Sequence, residues 1–109
     1  MASGKWISTI GAVIVAADGS KVASGEYPAG TFTVTKNGTG NFQLDLTADF
    51  QTAWGTPFGV QVTPETSSKL SAQVTNVSGS RIDCTFYNDA GTATDPTRFH
   101  VLVYHFNAA

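Results

Sequence analysis

Thr31-Phe32-Thr33-Val34-Thr35-Lys36-Asn37-Gly38-Thr39-Gly40-Asn41-Phe42-Gln43-Leu44-Asp45-Leu46 is the stretch that decides the fold. Phe32 and Val34 alternate with threonines, and Phe42, Leu44 and Leu46 alternate with Gln43 and Asp45. A period of two sends one face of each segment into a core and the other into water, which is the pattern of a half-buried strand. Between them, Gly38-Thr39-Gly40 supplies the glycines that a tight reversal needs, so the two strands read as a hairpin.

The same period continues in both directions. Phe58, Val60 and Val62 alternate with Gly59 and Gln61, and Pro64 ends the run. Leu70, Ala72 and Val74 form another row, residues 76–80 a turn, and Ile82, Cys84 and Phe86 the next inward row. Toward the start, Ala12-Val13-Ile14-Val15-Ala16 leads through Ala17-Asp18-Gly19-Ser20, a hairpin signal, into Lys21-Val22-Ala23-Ser24. Helical periodicity is missing from every stretch of useful length, and residues 47–54 read as one helical turn at most. The expected fold is all-β, an antiparallel β-sandwich of about eight strands, with jelly-roll and immunoglobulin-like topologies both open. The domain is expected over residues 10–106, with an N-terminal segment at 1–9 and a tail at 107–109.

Two strands break the half-buried rule. Residues 10–16 and 99–106 are apolar on both faces. In the second, Phe99, Val101 and Val103 point one way, while Leu102, Tyr104 and Phe106 point the other. Only one face can meet a sandwich core, so the other is expected to lie under an extra loop of a closed barrel or against another subunit. Ile10, Ala12, Ile14, Leu102, Tyr104 and Phe106 are therefore the expected oligomer interface.

Composition narrows the function classes. The 109 residues form one domain, and seven Phe, three Tyr and two Trp supply a sizeable core. Only 13% of residues are charged, about half the usual fraction, and the six Lys and Arg are scattered. Phosphate backbones are bound by cations gathered on one face, so nucleic acid is not an expected partner. The N-terminus lacks a signal-peptide core and no apolar run has membrane-spanning length, so membrane insertion is not expected. Cys84 alternates with Ile82 and Phe86 and reads as a buried small hydrophobe.

Catalytic and metal sites are not expected. His100 and His105 are five apart on one strand and point to opposite faces, so they do not chelate one metal together. The carboxylates show neither a glycosidase pair nor a calcium loop, and Asp89 and Asp95 read as turn formers bonded to nearby backbone. Cofactors are not expected either. Trp54 in a turn, with Tyr27 and Tyr87 as weaker candidates, are the expected ligand-binding residues, because sugar rings stack on exposed aromatic faces.

With strands and turns placed, the chain resembles a β-sandwich module of the C-terminal parts of bacteriophage tail-fibre and collagen-like phage proteins. The resemblance rests on Ala17-Asp18-Gly19-Ser20, Val22-Ala23-Ser24-Gly25, the 32–42 hairpin, Val62-Thr63-Pro64 and Asn88-Asp89-Ala90-Gly91 leading to Phe99-His100-Val101. It spans residues 10–106, departing at Phe42, around Trp54 and at Tyr104-His105-Phe106. It implies a non-enzymatic, homotrimeric fibre module located in the virion, with other virion proteins as partners and host-surface carbohydrate as a candidate ligand. A head or neck decoration or connector protein is the alternative, and a polysaccharide-acting enzyme a more distant one.

Overall fold

The computed structural model describes residues 6–46, 58–77 and 81–107. They form eight antiparallel strands: β1 (Trp6–Ala16), β2 (Lys21–Tyr27), β3 (Phe32–Gly38), β4 (Asn41–Leu46), β5 (Phe58–Glu65), β6 (Ser71–Val77), β7 (Arg81–Tyr87) and β8 (Arg98–Asn107). β1 begins at Trp6, within the segment that the sequence leaves outside the domain.

The strands divide into two four-stranded sheets, ordered β2-β1-β8-β5 and β3-β4-β7-β6. We call them sheet A and sheet B. They pack face to face as a β-sandwich, not as a closed barrel. The order also departs from the immunoglobulin arrangement, in which the second strand is central, because here β2 lies at an edge.

The hairpins form where the turn residues dictate. Ala17-Asp18-Gly19-Ser20 closes β1 on β2: the Ala16 N–H donates to the Ser20 carbonyl, and Asp18 Oδ1 accepts from the Ser20 N–H and hydroxyl. Gly38 pairs with Asn41 across the β3–β4 turn, where Gly40 has a φ of +72°. A Cβ at Gly40 would lie 2.8 Å from the Thr94 nitrogen, so the turn has room only for glycine.

Alternation builds the core. Sheet A contributes Val13, Val15, Phe99, Val101 and Val103, and sheet B contributes Phe32, Phe42, Leu44, Leu46, Ile82, Cys84 and Phe86, all buried. Phe99 crosses the gap between the layers. Its ring centroid lies 4.8 Å from those of both Phe42 and Phe86, which meet each other edge-on at 5.9 Å.

Lys36 lies opposite Phe42 on the inward side of β3, where an apolar residue would continue the row. Its stem instead runs to the end of the sandwich, with Nζ 5.7 Å from the Phe42 ring centroid. There Nζ donates to the Ala17 carbonyl at 3.0 Å and to Asp95 Oδ2 at 2.7 Å, while Asp95 Oδ1 accepts from the Gly40 N–H at 2.7 Å. Asp95 was expected to bond nearby backbone as a turn former. It bonds instead across 55 and 59 positions, tying three connections together. Sequence offers no view of this contact because the partners meet only when both sheets are stacked.

Phe99→Ala is expected to cost about 3–5 kcal/mol, because it removes the ring that joins both sheets. Asp95→Ala should cost about 1–3 kcal/mol by stranding the Gly40 N–H and Lys36. Urea unfolding of each variant, followed by fluorescence, measures both.

Candidate functional site

The two outer faces have opposite chemistry. On sheet A, the inward row of β8 leaves His100, Leu102 and Tyr104 outward, and register places Leu102 beside Ala12 and His100 beside Ile14. Ala12, Ile14, Leu102 and Tyr104 are half-buried. The structure thus brings together four of the six residues expected at an interface. Ile10 falls at a bulge in β1 between Thr9 and Gly11, and Phe106 lies near the end of β8; both side chains are outside the description.

Two features of the same chain partly shield this face. Val13 pairs with Glu26 and Val15 with Lys21, so residues 22–25 bulge opposite Ile14. Ser24 takes a φ of 61° within the bulge. On the other side, the Tyr104 ring fills the space where a Cβ at Gly59 would stand, a cross-strand aromatic laid over a glycine. Between the bulge and β8 runs a groove of about 350 Å3, lined by Ala12, Ile14, Ser24, Gly25, Tyr27, His100 and Leu102 among others. Tyr27, expected as a ligand-binding residue, is 66% exposed and stands on this groove.

The approach to Tyr27 is fixed by Glu26. Its carboxylate accepts from the Phe32 N–H at 2.8 Å, the Gly30 N–H at 3.0 Å and Lys21 Nζ at 3.2 Å. Lys21 Nζ also donates to the Phe32 carbonyl. Burial alone would raise the Glu26 pKa, but the two N–H groups and the Lys21 ammonium outweigh it, and the carboxyl lies below the usual glutamate value.

At the far rim, Glu65 Oε2 meets both Arg98 Nε, at 2.9 Å, and His100 Nε2. The hydrogen bonds from His100 and then Arg98 lower the Glu65 pKa. His100 is thus a surface histidine with a carboxylate partner that sequence did not indicate. The pairing comes from the β5–β8 register, Glu65↔Arg98 and Thr63↔His100, which joins positions over thirty residues apart. The side chain of His105 and all of Trp54, with residues 47–57, lie outside the described residues.

Sheet B is polar outside. Asn41, Gln43 and Asp45 of β4 lie beside Thr85, Asp83 and Arg81 of β7. They bond among themselves: Thr85 Oγ1 donates to Asn41 Oδ1, Gln43 Nε2 to Asp45, and Arg81 Nε to Asp83. Tyr87, the third expected ligand-binding residue, is half-buried at the end of this outward row of β7. Tyr27 and Tyr87 therefore lie on different sheets and do not form one site.

Cys84 is buried, and desolvation, with a smaller contribution from Asp83, pushes its pKa up to about 12. Among the described residues, no three of His, Cys, Asp and Glu gather at metal-binding distance. Comparison with family models, with curated proteins and with solved structures finds no match to this chain.

Two measurements follow from these groups. Cys84 should stay unreactive toward a thiol reagent at pH 8 until denaturant is added, and then react fully. Glu26 and Asp95 both have lowered pKa values; for Asp95, burial is outweighed by the Lys36 and Gly40 hydrogen bonds. Their contribution is complete above the unfolded values of about 4 and is lost as pH falls through the folded values. Melting temperature should therefore hold level between about pH 5 and pH 8 and fall below about pH 4, and Glu26→Gln should flatten part of that fall.

Proposed function

We propose that this domain is a non-enzymatic structural or attachment module of a virion, of the phage tail-fibre type, which works as a homo-oligomer. The observation that carries this reading is the outer face of sheet A. Its two central strands present Ala12, Ile14, Leu102 and Tyr104 outward, beside an apolar groove and an exposed Tyr27. An aromatic knob next to an apolar hollow is the composition of an interface centre, where rigid aromatics seat in desolvated pockets. The occupant we assign is a second copy of this chain. Three copies around an axis would put one such face from each chain into the contact, in keeping with the trimer that the sequence resemblance implies.

Chemistry supports a binding role over a catalytic one. The Glu65 carboxylate is engaged by Arg98 and His100 on an exposed rim, and the Cys84 thiol is buried and held protonated.

Sedimentation equilibrium at micromolar concentration tests assembly. A trimer is expected, and Leu102→Lys should dissociate it while leaving the circular dichroism spectrum unchanged, since Leu102 is outside the core. A strict monomer for the unaltered chain would overturn the assembly reading.

A further inference from the structure

Asn37 and Gly38 lead from β3 into its turn, where Lys36 pairs with Phe42 and Gly38 with Asn41. Asn37 is therefore the bulged residue, left without a cross-strand partner. Its side chain is exposed, and Nδ2 donates to Gln43 Oε1 at 3.2 Å. Gly38 carries no Cβ, and the space where one would stand meets only Asn41 Nδ2, at 3.7 Å. Asn41 and Asn88 differ on both counts. Asn41 precedes the bulky Phe42, and its Oδ1 accepts from Thr85 Oγ1 at 2.7 Å. Asn88 precedes Asp89, and its Oδ1 accepts from the Ala90 and Thr92 N–H groups at 2.9 and 3.0 Å.

An asparagine side chain has the length to close a five-membered ring with the backbone nitrogen of the next residue. A side chain on that next residue obstructs the approach, and glycine leaves it open. A hydrogen-bonded Oδ1 holds the amide away from it. Asn37 thus joins an open approach to an exposed position outside the ladder.

We propose that Asn37 is a site of spontaneous deamidation, and that the product loosens the clasp at this end of the sandwich. The Gly38 nitrogen gives its proton to a base and attacks Asn37 Cγ, forming the N–Cγ bond. The Cγ–Nδ2 bond breaks, and Nδ2 takes up a proton and leaves as ammonia. Water then opens the succinimide ring. Attack at Cγ yields an aspartate on the original backbone, and attack at the main-chain carbonyl carbon yields isoaspartate. The sum is amide plus water giving carboxylate plus ammonium, with no change of oxidation state. Either product sets a carboxylate against Gln43 Oε1, an acceptor, while Gln43 Nε2 is held by Asp45. Isoaspartate also adds one carbon to the backbone between Lys36 and Gly40, the two groups that Asp95 holds. Those bonds fit one spacing, so the longer backbone weakens them. Assembly, which uses the opposite sheet, is a separate matter.

Ageing of the folded full chain in mildly alkaline buffer, followed by intact mass and fragment mapping, tests this. The chain should gain about 1 Da as NH2 becomes OH, and fragments should place the gain at position 37 ahead of 41 and 88. The gain should be slower in mildly acidic buffer, where the Gly38 nitrogen keeps its proton. Gly38→Ala, whose Cβ the fold accommodates, should slow it at least about tenfold. The aged chain should melt at least about 4 °C lower than the fresh one. Asn37→Gln should keep its mass and melting temperature, and Asp95→Ala, already without the clasp, should lose little more on ageing. The proposal is overturned if position 37 keeps its amide in the folded chain while urea-unfolded chain loses it. It is equally overturned if Gly38→Ala reacts as fast as the unaltered chain, if the aged chain melts unchanged, or if Asp95→Ala loses as much on ageing as the unaltered chain.

Discussion

The pairing of the first strand with the last is the constraint from which the other features of this domain follow. β1 and β8 run antiparallel from Trp6↔Asn107 to Ala16↔Arg98, and together they occupy the centre of sheet A. Contacts of such sequence separation close only after much chain entropy has been lost. Burial has to offset that loss, and Val13, Val15, Phe99, Val101 and Val103 lie along this one pairing. Central strands also tolerate apolar residues on both sides better than edges do, because neighbours flank them in the sheet plane. The two-faced sequence of β1 and β8 is the local signature of that central position.

A second set of contacts joins what burial alone would leave loose. Phe99 seats sheet A on sheet B through Phe42 and Phe86, and Lys36 and Asp95 lock the turns at one end. The burial that drives the aromatic contact is non-directional. The ion pair, with its bonds to Ala17 and Gly40, is directional and sets one relative position of three connections. Glu26 does the same for the passage from β2 to β3, accepting from the backbone N–H groups of Gly30 and Phe32. A domain with few charges thus places several of them where the chain changes sheets.

The two outer faces differ in chemistry. Sheet A presents aliphatic and aromatic surface beside a groove. Sheet B presents hydrogen-bonding groups that bond to one another across β4 and β7. Tyr27 and Tyr87, alike in the sequence as candidate stacking residues, fall one on each sheet.

Period-two alternation determined the strands, the hairpins at Ala17-Asp18-Gly19-Ser20 and Gly38-Thr39-Gly40, the sandwich class and the inward rows, Cys84 among them. These are short-range properties: a strand's faces and a turn's glycines are set by adjacent residues. The apolar outer residues Ala12, Ile14 and Leu102 were legible on the same ground. Strand order was not, since the same inward rows satisfy several topologies equally. The bulge opposite Ile14, the Tyr104 ring over Gly59, and the partners of Glu65 and Asp95 were likewise decided by tertiary structure. Each depends on which strands become neighbours and in what register, a choice made by the packing of two whole sheets and written in no single segment of the chain.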